Sequence, residues 1–270
     1  MDLRTTSSLS MLGQEKRQTT LQPLGLVGSF ALFGLPAVIL FVAFHMFRPW
    51  LEALGYDSLI SFLASLCIPL ALLFAAALFA YYREGYPLTW QVFAERMRLP
   101  RLRGRDVLWG LTIFMIGGLG MGMLSGLILT LIQRGWMPLP GHLPALADPR
   151  VTVTRDMLAQ SAGGVIYGRW DIAILYLVVF LFNVIGEELW WRGYILPRQE
   201  LALGRYTWLI HGVMWACFHV FKWWDVLPLL PMCLITAYCA QRTRSTWGGL
   251  IGHVLSNGIS VIAVLWFIVS

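Results

Sequence analysis

The chain has 270 residues, 58% of them hydrophobic and 13% charged, with a mean hydropathy of +0.68. A soluble domain is nearer half apolar and a quarter charged, so this composition excludes a single water-soluble core and requires lipid as the solvent for much of the surface. The formal net charge of +6 does not point to nucleic acid, because the basic residues are not gathered into one aromatic-laced face; in a membrane chain they report orientation instead.

Residues 1–24 read as a polar N-terminal tail, cytoplasmic and partly disordered. They lack the basic start, apolar run and small-residue cleavage site of a signal peptide, so the first apolar helix is expected to be retained. Residues 25–270 read as one helical membrane domain. Spanning about 30 Å of hydrocarbon takes roughly 20 apolar residues, and seven runs qualify: 25–47, 58–82, 107–133, 171–195, 206–224, 226–241 and 246–269. The sixth is short and carries Pro228 and Pro231, which suggests a kink or a re-entrant piece. The expected fold is therefore all-α, a polytopic membrane helix bundle of about seven to eight transmembrane helices. An eighth span or a re-entrant piece near SAGGVIYG (161–168) would overturn an orientation with the N-terminus inside and the C-terminus outside.

Between the spans, residues 88–105 mix Trp90, Val92, Phe93 and Met97 with five arginines, a composition that suits a short helix lying on an anionic leaflet. An ordinary basic loop explains it equally well. In the third span Gly118, Gly122 and Gly126 recur every four residues, spacing that allows close helix approach, and are expected to form a packing face. Residues 134–170 read as a Pro- and Gly-rich loop or lid. Cys67, Cys217, Cys233 and Cys239 sit in apolar stretches and read as buried small hydrophobes. With the N-terminus inside, inner segments hold fourteen Lys and Arg against six outside. That bias predicts a multi-pass protein with a cytoplasmic N-terminus and an outer C-terminus.

The chemistry is located by the polar residues at membrane depth, where each charge costs on the order of 3 kcal/mol even on lenient scales. Glu187 and Glu188 close the fourth run, with Arg192 four residues on. His211, Trp215 and His219 share one face of the fifth, and His253 and Asn257 one face of the seventh. Counting about 1.5 Å per residue from each inner end puts Glu187 at roughly 12 Å, His219 at about 20 Å, His253 at about 10 Å and Asn257 at about 16 Å. These four fall in one slab; His211 lies nearer the inner rim. Adjacent helix positions point about 100° apart, so the two glutamates face different neighbours. Glu188 can pair with Arg192. Glu187, whose face carries Asn183 and Trp191, has no matched cation and is the carboxylate free to take a proton from water. His219 can hold the same water, and His253 and Asn257 can donate to the oxyanion formed when water attacks a carbonyl. This arrangement suits hydrolysis of an amide within the membrane.

These residues resemble a known family. EELWWR is similar to the EExxxR motif of the CPBP intramembrane proteases, which include the type II CAAX prenyl endopeptidases; WACFH is similar to FxxxH, and HVLSN matches HxxxN. The resemblance covers about residues 165–265. It implies a glutamic-type endopeptidase that needs no cofactor, with Glu187 as base, His219 assisting at the water, and His253 and Asn257 at the oxyanion. Glu188, Arg192 and Trp215 are supporting residues, Trp215 standing where the motif has Phe. The implied partners are the lipid bilayer and a membrane-anchored peptide or protein substrate, and the implied location is a bacterial plasma membrane. Two alternatives stand beside it. One is a zinc-dependent version using Glu187, His219 and His253. The other is a non-catalytic membrane protein, such as a bacteriocin self-immunity factor or a scaffold.

Overall fold

The computed structural model describes residues 21–270, so residues 1–20 of the expected polar tail lie outside the described residues. The described residues are helical and contain no strand. In chain order the helices are α1 (Leu26–Ala53), α2 (Ser58–Arg83), α3 (Trp90–Arg96), α4 (Gly104–Gln133), α5 (Arg155–Ser161), α6 (170–203), α7 (Thr207–Phe218), α8 (Val226–Thr243) and α9 (Trp247–Val269). Among the described residues five stretches are long and apolar enough to cross a membrane: α1, α2, α4, the run Trp170–Thr243 and α9. The fourth folds into α6, α7 and α8. Gly204, at φ +60, makes the first reversal, a conformation that favours glycine. Lys222, at φ −122 and ψ 69, interrupts the helix at the second.

Two expected spans change shape. The fourth does not end at 195: helix continues to Leu203, because Pro197 stands at the start of its last segment, where no N–H is required. The fifth is not one α-helix over 206–224. α7 has twelve residues and rises only about 18 Å. Short 3₁₀ turns over His219–Asp225 follow it and are broken by the non-helical Lys222, so they do not extend the span in a straight line. After Ser161, which ends α5, residues 162–168 form turns and loop rather than an eighth span.

The long helices alternate in direction, so their ends gather at two rims. At the first rim Glu84, after α2, takes the Arg96 guanidinium at 2.5 and 2.7 Å and also pairs with Arg198 at the end of α6. Arg98 pairs with Glu200 at 2.7 Å, and Thr246 before α9 donates to the Met97 carbonyl at 2.8 Å. These bonds fix α3 on the rim while Leu88 and Trp90 remain exposed. At the second rim residues 134–169 fold into a cap with Leu158, Ala162 and Ile166 buried. Arg48 reaches the His142 carbonyl at 3.3 Å, Trp223 the Pro138 carbonyl at 3.0 Å, and Arg169 reaches Asp57 at 3.1 Å.

The packing glycines of α4 are not the expected ones. Gly118, Gly122 and Gly126 face outward with nothing within 4 Å of an added methyl group, whereas Gly110 abuts Ile251 and Gly120 abuts Pro231. The stripe at 118–126 is turned away from α8 and α9, and the contacts with them fall at Gly110, Gly117 and Gly120. Cys217 also departs from expectation: it is exposed on α7, while Cys233 and Cys239 are buried and Cys67 lies between. A methyl group at Gly252 would meet Ile113 at 2.5 Å. Gly252→Val should therefore overpack the α4–α9 contact and destabilise the protein by about 1–3 kcal/mol. Gly122→Ala should leave the unfolding midpoint unchanged or raised. Thermal unfolding in detergent micelles measures both.

Candidate active site

Glu187 and Glu188 stand between two π-helical segments of α6, Phe182–Gly186 and Leu189–Ile195. Residues four apart drift round an α-helix of 3.6 residues per turn, and the wider π turns offset that drift. Asn183, Glu187 and Trp191 consequently stay on one face. Gly186 lets this part of α6 close on α2, where an added methyl would lie 3.1 Å from Phe74.

Both carboxylates are buried, and each has its own partners. The Asn183 side-chain amide donates to Glu187 Oε1 at 2.6 Å. The indole N–H groups of Trp215 and Trp191 donate to Oε2 at 2.7 and 3.3 Å. Among the described residues no guanidinium or ammonium is bonded to Glu187. Glu188 Oε1 lies 3.0 Å from Arg192 and 3.3 Å from His253 Nδ1. The Arg192 guanidinium rests 3.4 Å from the centre of the Trp215 ring, a desolvated cation–π contact worth about 2 kcal/mol. Glu188 also lies against Gly249, the residue that lets α9 approach α6.

The end of α7 sets the His219 tautomer. Its backbone N–H turns to the Ala216 and Cys217 carbonyls, leaving the Trp215 carbonyl without its usual partner. His219 Nδ1 fills that place at 2.9 Å. A carbonyl only accepts, so Nδ1 carries a proton and the neutral ring keeps a lone pair on Nε2. His253 is constrained in the same way: with Nδ1 donating to Glu188, its other nitrogen is the one left for a ligand. Asn257 Nδ2 donates to Asn183 Oδ1 at 2.5 Å. His211 stands apart, buried and bonded through Nδ1 to Gln199 at 2.6 Å.

Glu187, His219, His253 and Asn257 all line one cavity of about 260 Å³, together with Asn183 and Lys222. Its remaining wall is largely apolar, including Leu146 from the second-rim cap. The structure thus brings together the four residues named as candidates for catalysis and sets the three supporting residues against them. At the level of sequence Trp215 stands only where the motif has Phe, whereas its indole N–H is a donor to Glu187 that phenylalanine does not have. Sequence reasoning also missed the Glu188–His253 contact, which joins two motifs and needs the fold to be visible. Among the described residues no three His, Cys, Asp or Glu side chains converge as a metal-ligand set.

Residues 169–259 match the family model described as type II CAAX prenyl endopeptidase Rce1-like. Over this segment, about a third of the chain, the protein is similar to the CAAX proteases. The matched residues run from the start of α6 into α9 and include every cavity residue singled out by the three motifs. This similarity supports an intramembrane protease in general terms and a membrane-associated substrate. No curated protein and no solved structure matches the chain.

Arg192 and Glu188 have no exposed side-chain surface. Removing one partner leaves the other charge buried and uncompensated, a loss of about 3–5 kcal/mol. Arg192→Met should lower the unfolding midpoint strongly. The pair Glu188→Leu with Arg192→Met should recover much of it, as read by thermal unfolding of the purified protein.

Proposed function

We propose that the chain is a glutamic-type intramembrane endopeptidase in which Glu187 activates the attacking water. The observation that carries this reading is the common cavity of Glu187, His219, His253 and Asn257 within the family-matched segment. Glu187 is held by uncharged donors only, which orient its carboxylate without giving it a permanent cation. Both of its oxygens retain lone-pair capacity, the less occupied one being Oε1.

In this mechanism Glu187 removes a proton as the water oxygen attacks the scissile carbonyl carbon. The carbonyl oxygen becomes an oxyanion and receives hydrogen bonds from Asn257 Nδ2 and His253 Nε2. Because His253 Nδ1 already donates to Glu188, the oxyanion role requires the doubly protonated ring. Collapse breaks the C–N bond, and the proton taken from water passes to the leaving amine, directly from Glu187 or by way of His219 Nε2. The products are a carboxylic acid and an amine, and no redox partner or cofactor enters the balance. The donors around Glu187 favour this metal-independent route over a zinc version, since both carboxylate oxygens already face N–H groups.

The substrate proposed is a membrane-anchored peptide or protein tail. Two apolar crevices of about 360 and 330 Å³ flank α1 and share Phe218 with the site cavity, offering apolar surface beside the chemistry. The first rim is proposed to be cytoplasmic and the membrane a bacterial plasma membrane. Exposed Arg83, Arg101, Arg103, Arg105, Arg242 and Arg244 all gather there.

The test is Glu187→Gln in purified protein, assayed on a fluorogenic peptide carrying a farnesylated cysteine and on an unmodified apolar peptide. Cleavage should fall by about a hundredfold or more, in line with loss of a general base. Full activity of the variant would sink the protease reading and favour a non-catalytic immunity or scaffold role. Treatment with a strong chelator should leave the rate of the native protein unchanged; a loss restored by zinc would favour the metal version.

A further inference from the structure

We infer that Asn183 is a positioning residue that sets both the base and an oxyanion donor of the proposed site. The inference rests on the hydrolase reading above and goes beyond the three motifs, none of which contains this residue.

The argument is one of hydrogen-bond direction. An ionised carboxylate only accepts, so the atom Asn183 turns toward Glu187 Oε1, 2.6 Å away, is its nitrogen. The Asn183 oxygen is thereby turned the other way, toward α9. There it accepts from Asn257 Nδ2 at 2.5 Å, so Asn257 must also present its nitrogen. The chain Asn257→Asn183→Glu187 thus has a single polarity, anchored at its acidic end. One N–H of Asn257 is consumed by this bond. The other has no partner among the described residues, and Asn257 lines the cavity.

Two consequences follow for the reaction. Glu187 is clamped from both sides, by Asn183 on Oε1 and by the two indoles on Oε2, so its carboxylate plane is fixed before substrate arrives. The same bond keeps the Asn257 amide from rotating its oxygen into the cavity, where it would repel an oxyanion. A lone Asn in the apolar stretch DIAILYLVVFLFN could be explained as helix–helix glue. Here it bridges two helices through the carboxylate that the reaction uses, and it lines the same cavity.

The experiment uses the full chain in micelles with the farnesylated and unmodified fluorogenic peptides. Asn183→Ala and Asn183→Asp, the second similar in shape but unable to donate from an ionised carboxylate, should each lower kcat about tenfold or more while KM stays within about twofold. Combining Asn183→Ala with Asn257→Ala should cost little beyond Asn257→Ala alone, since the two act as one unit. A wild-type kcat for Asn183→Ala, or a double variant whose losses multiply, overturns the inference. Thermal unfolding of the same cycle supplies a readout without turnover: the double variant should lose no more than the worse single, and additive losses overturn the chain of bonds. Glu187→Gln is run in parallel. If it cleaves normally the hydrolase reading fails; if it is inactive while Asn183→Ala is normal, only the role of Asn183 fails.

Discussion

Two neighbouring carboxylates buried in one helix cannot share a partner, and the architecture around α6 answers that constraint. Positions one residue apart point about 100° apart, so each carboxylate meets a different part of the protein. Glu188 turns toward α9 and meets Arg192 and His253. Glu187 turns toward α7 and meets two indoles and an amide. A buried charge without such partners would cost several kcal/mol, so these side chains are conditions of the fold as well as candidates for chemistry. Trp215 joins the two sets: its edge donates to Glu187, its face receives Arg192 and its carbonyl accepts from His219.

The departures from regular α-helix gather where these demands meet. Two π segments flank the glutamate pair, and α7 ends in 3₁₀ helix at His219. Such turns use weaker backbone geometry than α-helix and persist where tertiary contacts over-determine them. The tightened turn at 219 frees the Trp215 carbonyl that sets the His219 ring. In α6 the wider turns keep Asn183, Glu187 and Trp191 aligned. Regular helix is interrupted at the points where side-chain direction has the greatest consequence for the site.

Much of this was legible in the chain. Apolar length located the long helices to within a few residues at most ends, because lipid demands apolar runs of a definite length. The i,i+4 relation placed Glu188 beside Arg192, and the face shared by Asn183, Glu187 and Trp191 was visible from spacing alone. What stayed hidden depends on contacts between helices. The glycine stripe of α4 satisfies a packing motif by sequence, yet which glycines meet a neighbour depends on how α4 is rotated against α8 and α9. The helix break at 219 is likewise concealed, since HVFKWWD has no proline or glycine to mark it. The contact from Glu188 to His253 spans 65 residues, and no local pattern could announce it.

The direction of the bonds around Glu187 also bears on how a carboxamide at that position behaves. Glutamine preserves the outline of the side chain but carries both a donor and an acceptor. Asn183 then need not present its nitrogen, its oxygen need not face α9, and Asn257 loses the reason to hold an N–H in the cavity. Replacing one oxygen by nitrogen at 187 therefore removes the proposed base and also releases the orientation of the proposed oxyanion donor on another helix. The effects of the base and the donor are coupled through Asn183, so the loss at Glu187 measures the whole chain of bonds. The contribution of proton transfer alone is separable only where the polarity of that chain is kept, which makes the carboxylate an organising charge as much as an acceptor of protons.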